Sequence, residues 1–353
     1  MASTRGTRKR IVLHAGLPKT GTTYLQRRFV DNRDWLAAHG VAYPVVGQEF
    51  LFGHHNVAFA LGDRRPQGTT WESVDTALQH ILASDLPCIL LSSENFSELP
   101  LDRAGPLRDA LAGHDLEYVV VVRRRSALCA SRWQTEVKHG STRTFPAFLA
   151  DELVGTGRST LRIEDSLLLA IDTHGLDVLR IVVLDNLLAA GVDLFDYFVQ
   201  TVLGLPTAGS VAGSSPRENV ALSPPSIEIL RALNGSDALD SRCTGVALHQ
   251  ATASFLKSDP VGQALRHEVT ALFDVEGRDL DLGLIDWQWL GRDAEIMRTC
   301  RSNVFNPAGE QRLFADLPPT VVRVLEPHRL YRRIPCERFD DVYRRILERA
   351  LAG

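Results

Sequence analysis

The chain has 353 residues, 44% hydrophobic and 23% charged, enough apolar material for one large α/β domain or a domain with a helical annex. A formal net charge of −4 argues against a general nucleic-acid binder, so any anion must be held by local cationic clusters. The cysteines Cys88, Cys129, Cys243, Cys300 and Cys336 form no C-x-x-C pair; that excludes a disulfide framework or zinc ribbon and predicts reduced, mostly buried thiols in a cytoplasmic protein.

The basic stretch over residues 1–9 reads as a frayed tail, and "IVL" at Ile11–Leu13 as a short buried strand. A loop rich in glycine and threonine follows, and then a helix from Thr22, with Tyr24, Leu25, Phe29, Trp35 and Leu36 at roughly helical spacing. Helical segments are predicted over Trp71–Ala83, Leu101–Ala112, Ser126–Lys138 and Ser166–Thr173. Between them run the apolar strands Cys88–Ser93, Glu117–Val122 and Leu179–Asp185. Continuous apolar strands alternating with helices predict a mostly parallel sheet covered on both faces, a P-loop-like three-layer α/β core over residues 10–205. In such sheets ligands bind beyond the carboxyl ends of the strands.

Composition shifts at Gly204–Ser226, where Gly, Pro and Ser dominate, as in a linker or a functional loop. The remainder reads as helical, so residues 206–353 are expected to complete the same domain with a polar loop and additional helices. The last helix, about Glu337–Leu351, places Phe339, Val342, Tyr343, Ile346, Leu347 and Ala350 on one stripe and Arg338, Arg345 and Arg349 largely outside it. No run of about 18 apolar residues occurs, so no membrane span is expected.

The loop "GLPKTGTT" has Gly16 and Gly21 at the spacing of a Walker motif, G-x-x-x-x-G-K-[ST], with Thr23 in its Ser/Thr place. Thr22 stands where the lysine belongs, and the only lysine, Lys19, has moved to mid-loop. Turning glycines aim backbone N–H groups and the helix start at an anion, and Thr22 and Thr23 add hydroxyls. Without the terminal lysine the loop is ill suited to a triphosphate and its magnesium. A 5′-phosphate cradle with one mid-loop cation suits sulfuryl transfer, whose transferring group carries less charge and needs no obligatory metal.

"GLPKTGTTYLQ" resembles the 5′-phosphosulfate loop of sulfotransferases that use 3′-phosphoadenosine 5′-phosphosulfate (PAPS), closest to bacterial and heparan-type members. The resemblance implies that Pro18, Lys19, Thr20, Gly21, Thr22 and Thr23 hold the nucleotide. It also implies that Lys19 assists its departure as 3′-phosphoadenosine 5′-phosphate (PAP). The family's 3′-phosphate site pairs an arginine ending a strand with a serine eight residues later, which points to Arg123 and Ser131. An arginine at the carboxyl end of a parallel strand beside the first loop can grip a phosphate with its fork on physical grounds alone. Where the family often has a proline next, three arginines run together here, so Arg124 and Arg125 are alternatives. "SPRENVAL" resembles a segment of bacterial members, implying that Arg217 and Asn219 close over the nucleotide.

Transfer to a hydroxyl or amine benefits from a base. Cytosolic sulfotransferases carry theirs at a strand end matching "CILLSSENF", which singles out Glu94; His55 and Glu49, in the segment where heparan-type members carry a glutamate, are the alternatives. His54 and His55 are expected to point apart, and His14 to be a packed strand-end residue. Trp71 and Trp133 read equally as pocket wall and as core. The resemblance implies a soluble cytoplasmic bacterial sulfotransferase acting on a carbohydrate or small metabolite, with no metal and no nucleic-acid partner. A P-loop kinase or NTPase with a degenerate lysine, using Asp185 of "RIVVLD" for magnesium, and a non-catalytic nucleotide-binding protein remain open.

Overall fold

The computed structural model of the chain describes residues 8–49, 51–62, 66–69, 71–99, 101–154, 161–206, 222–305, 313–314 and 317–352. Its strands are β1 (Arg10–His14), β2 (Val41–Ala42), β3 (Cys88–Ser92), β4 (Asp115–Val122), β5 (Leu179–Val183), β6 (Arg278–Asp281), β7 (Val304–Phe305) and β8 (Val321–Val324). Six of them form one parallel sheet in the order β2-β3-β1-β4-β5-β7. The fold is α/β, as the strand–helix alternation predicts.

Two compact units divide the chain. The first draws on the spans Met1–Arg124, Arg162–Glu218 and Trp289–Leu317; the second on Arg125–Leu161, Asn219–Gln288 and Pro318–Gly353. The sequence-based core over 10–205 thus contributes to both units, and β7 returns from the C-terminal region to the edge of the first unit's sheet.

In the first unit, β3 and the end of β4 are buried at every position because layers cover both faces of the sheet, which is why they read as unbroken apolar runs. β1 lies between β3 and β4, with His14 beside Ser92 on one side and Val119 on the other. The chain winds from β1 toward β2 and β3, then crosses to β4, β5 and β7. That reversal opens a crevice at the carboxyl end of β1.

Helix α1 (Thr22–Asp31) covers one face, burying Leu25, Gln26 and Phe29. The Phe29 ring sits 5.3 Å from Tyr43, 5.8 Å from Phe195 and 5.3 Å from Phe198, in a core shared with Val12, Leu90, Val121 and Val182. Truncating such a ring costs about 3–5 kcal/mol. The predicted continuous helix through Leu36 breaks at Asn32, whose backbone N–H and Nδ2 both donate to the Arg28 carbonyl before a second helix starts at Arg33. An asparagine side chain that caps the preceding carbonyl competes with helix continuation.

The second unit is built of helices, among them Arg125–Lys138, Pro224–Asn234, Gly245–Ser258, Pro260–Glu276 and Cys336–Ala352. The expectation of a wholly helical C-terminal region is corrected by β6 and β8, which pair antiparallel from Arg278↔Val324 to Asp281↔Val321. Their partners lie about forty residues apart and "RDLD" has no apolar alternation, so local pattern carried no signal. The terminal helix buries Phe339, Val342, Tyr343 and Ile346 on the predicted stripe, whereas Ala350 is exposed. Among the described residues no helix is long and apolar enough to cross a membrane. Four of the five cysteines are buried thiols and Cys336 is exposed.

Candidate functional site

The loop after β1 stays tied to the sheet before it turns. Ala15 and Leu17 donate to the carbonyls of Val119 and Val121, and Ser93 donates to the His14 carbonyl. Gly16 takes φ 88°, and a Cβ there would stand 2.8 Å from the Glu94 Cβ and 2.9 Å from its Cα. Only glycine permits both the turn and this approach of the loop to Glu94. Thr20 is buried and its hydroxyl donates to the Leu17 carbonyl, closing the loop internally; its backbone N–H is what remains to serve a ligand. Pro18 and Thr23 are half-buried, and Thr22 is buried.

Lys19 is exposed at the tip and held at φ 66°, the left-handed region that costs a side-chain-bearing residue about 1 kcal/mol. Gly21, at φ 87°, is the N-cap of α1 and offers no side-chain acceptor to the first turn. Among the described residues the opening N–H donors of α1 therefore have no N-cap side chain, and their partial positive charge faces the crevice.

Beside this loop, beyond β3, polar side chains gather on Glu94. Gln26 Nε2 donates to Glu94 Oε2 at 3.1 Å, and His55 Nδ1 lies 3.8 Å from the same oxygen. The Glu94 side chain keeps 26% exposure against 5% for His55, so the carboxylate is the member of the pair that can reach an acceptor. Ser93 Oγ accepts from the Asn95 backbone N–H at 3.2 Å and from Asn95 Nδ2 at 3.3 Å, which turns its own hydrogen toward His55 Nδ1 at 3.0 Å. Asn95 Nδ2 also lies 3.1 Å from that nitrogen. His55 Nδ1 is thus an acceptor and its proton resides on Nε2. Burial pushes the imidazole's pKa down against the opposing pull of Glu94, so it stands neutral.

Sequence reasoning had not singled out Gln26, Ser93 or Asn95 as members of the site. Gln26 had a readable signal, an amide flanked by Leu25 and Phe29 on an apolar stripe, four residues after Thr22 and hence on one helix face.

The other expected residues separate. Glu49 is spent on structure: it accepts from Gly47 N–H at 3.1 Å, Trp71 Nε1 at 3.0 Å and Asn56 Nδ2 at 3.0 Å. Burial would raise its pKa, but the bonds from Asn56, the backbone and Trp71 outweigh that and hold the carboxyl below its usual range. His54 and His55 do point apart. His54 is buried, with Nε2 on the Pro44 carbonyl at 3.0 Å and Nδ1 accepting from Ser92 N–H at 3.1 Å. His14 is packed as expected, Nδ1 2.8 Å from Ser92 Oγ and its ring edge-on to Phe198. Trp133 is core in the second unit, its Nε1 on the Arg143 carbonyl.

The three arginines also part. Arg125 is buried with Nε on the Leu161 carbonyl at 2.7 Å. The Arg124 backbone N–H donates to Asp185 Oδ2 at 2.6 Å and its Nε lies 3.5 Å from Oδ1, which engages the carboxylate considered for magnesium. Arg123 reaches the loop, NH1 to the Lys19 carbonyl at 3.3 Å, and its buried Nε has no hydrogen-bond partner among the described residues. Ser131 lies half-buried on the Arg125–Lys138 helix of the second unit. Arg217 and Asn219 lie outside the described residues.

No protein-family model, curated protein or solved structure matches this chain. What the first-unit crevice can do must come from its own chemistry: an uncapped helix start, a mid-loop cation, an arginine with a buried open donor and a half-open carboxylate against the loop.

His14 and His54 make the unit acid-sensitive. Burial lowers each pKa to about 3, so the folded chain refuses a proton that the unfolded chain accepts below about 6.5. Stability is present in full above that value and is lost as pH falls through it toward 3. At pH 4 each residue accounts for a loss of up to about 3 kcal/mol. Urea midpoints should drop steeply between pH 6.5 and pH 4; a flat profile there would mean that one imidazole is charged in the fold.

Proposed function

We propose that the chain is a PAPS-dependent sulfotransferase, moving a sulfuryl group to a hydroxyl or amine of a carbohydrate or small metabolite. The observation that carries this reading is the loop itself, with Lys19 held at φ 66° over an uncapped helix start and Gly16 pressed against Glu94. Its donor set fits an anionic nucleotide: N–H groups of α1 for the 5′-phosphate, Lys19 beside the bridging oxygen, and the Arg123 guanidinium for the 3′-phosphate.

PAPS supplies the sulfuryl group and a phosphate leaving group. Glu94, oriented by Gln26, accepts the proton of the attacking acceptor, while neutral His55 leaves that carboxylate's charge unpaired and available. Lys19 offsets the negative charge that develops on the bridging oxygen. The reaction needs no residue in the place of the missing Walker lysine.

Calorimetric titration of the purified chain decides between donors. PAP should bind tightly without metal, and ATP with magnesium weakly; the reverse result would overturn the reading and return attention to Asp185. Arg123→Ala should weaken PAP about 10- to 100-fold, as expected for a charge-assisted contact of about 1.5–3 kcal/mol, and adenosine 5′-phosphosulfate far less. Equal weakening of both ligands would remove Arg123 from the 3′-phosphate.

A further inference from the structure

The second unit contains a cavity of its own, formed where the helices Pro224–Asn234, Gly245–Ser258 and Pro260–Glu276 meet. Asp259 sets the turn between the last two by accepting from the N–H groups of Val261 and Gly262, with Pro260 opening the next helix. The space is about 110 Å³, somewhat smaller than the roughly 150 Å³ hole that accepts benzene, so it suits an aliphatic tail of about four carbons with its polar head toward the exposed Arg266.

Its lining is divided by chemistry. Leu222, Leu230 and Leu256 supply an apolar floor. Thr252 is 2% exposed, and its Oγ1 has no hydrogen-bond partner among the described residues, an arrangement that costs stability unless a ligand answers it. Arg266 stands exposed at the lining, and its guanidinium makes no hydrogen bond or ion pair with any described residue. Ser226, its hydroxyl paired with that of Ser223, and His249 complete the polar side, with Lys138 and His139 near enough to act on His249 electrostatically. Among the described residues no carboxylate lines the cavity. An open hydroxyl, an unpaired cation and an aliphatic floor together describe an amphiphilic anion.

We propose that this cavity binds a short-chain aliphatic carboxylate, its tail on Leu230 and Leu256 and its oxygens accepting from Thr252 and Arg266. The site belongs to the second unit alone and does not depend on the chemistry assigned to the β1 crevice.

The test titrates the full-length protein with 3-methylbutanoate and, separately, with 3-methylbutanamide, which has the same shape without the charge. The acid should bind saturably and the amide about tenfold more weakly. Arg266→Gln should lower the acid's affinity about five- to tenfold and leave the amide's unchanged. Thr252→Val should weaken both ligands about fivefold while raising the melting temperature of the free protein, since it removes a buried hydroxyl without a partner. Equal binding of acid and amide, an Arg266→Gln variant with unaltered acid affinity, or no saturable binding of the acid would each overturn the proposal.

Discussion

Replacing Lys19 by alanine is expected to lower sulfuryl transfer about 10²–10³-fold, the usual effect of removing one donor from a developing oxyanion. PAP affinity should change much less, because the helix start and Arg123 remain. The readout is PAP released from PAPS, with water as the acceptor until a better one is found. A second variant separates chemistry from architecture. Lys19→Gly should lose the same activity yet be more stable than Lys19→Ala by about 1 kcal/mol in urea unfolding, because glycine occupies φ 66° without the Cβ penalty. Lysine at this position is a local cost to the fold, which the proposed role of its charge at the loop tip would explain. Near-normal turnover in either variant would remove the catalytic role of Lys19.

Glu94→Gln is expected to slow transfer about 10²–10⁴-fold, the range associated with loss of general-base assistance. The substitution keeps the Cα and Cβ that press on Gly16 and the amide partner for Gln26, so the loop should hold its shape and cofactor affinity should be spared. A fully active Glu94→Gln variant would move the search to His55. Its Nδ1 already accepts from neighbours, so it could serve only through Nε2 after exchanging tautomers. Glu49 is the weaker alternative, since Gly47, Trp71 and Asn56 already donate to its carboxylate.

The two replacements differ in what they leave behind. In the proposed mechanism, loss of Lys19 removes charge from the leaving side of the reaction, and loss of the Glu94 carboxylate removes it from the acceptor side. Gly16 joins the two, because the loop that presents Lys19 is also the surface on which Glu94 rests. Movement of one should therefore be felt by the other, and variants on both sides should combine non-additively.

The sequence by itself determined the α/β class and the tight glycine turns of the loop after β1. Both are local properties: unbroken apolar runs such as "CILLS" and "YVVVV" arise from double-sided burial, and glycines at 16 and 21 answer to backbone geometry within six residues. The stripe of the terminal helix was readable for the same reason, since Phe339, Val342, Tyr343 and Ile346 lie on one face at helical period. Only the tertiary structure decided which of three adjacent arginines faces the loop, because neighbours in a chain leave a strand end in different directions. Arg124 turns to Asp185 and Arg125 to Leu161, leaving Arg123 beside Lys19. It alone set Glu94, Gln26 and His55 together across 68 and 39 residues of chain, while committing Glu49 to its own loop. Pairings of that kind, like that of β6 with β8, rest on non-local contacts whose partners leave no periodic trace in either segment.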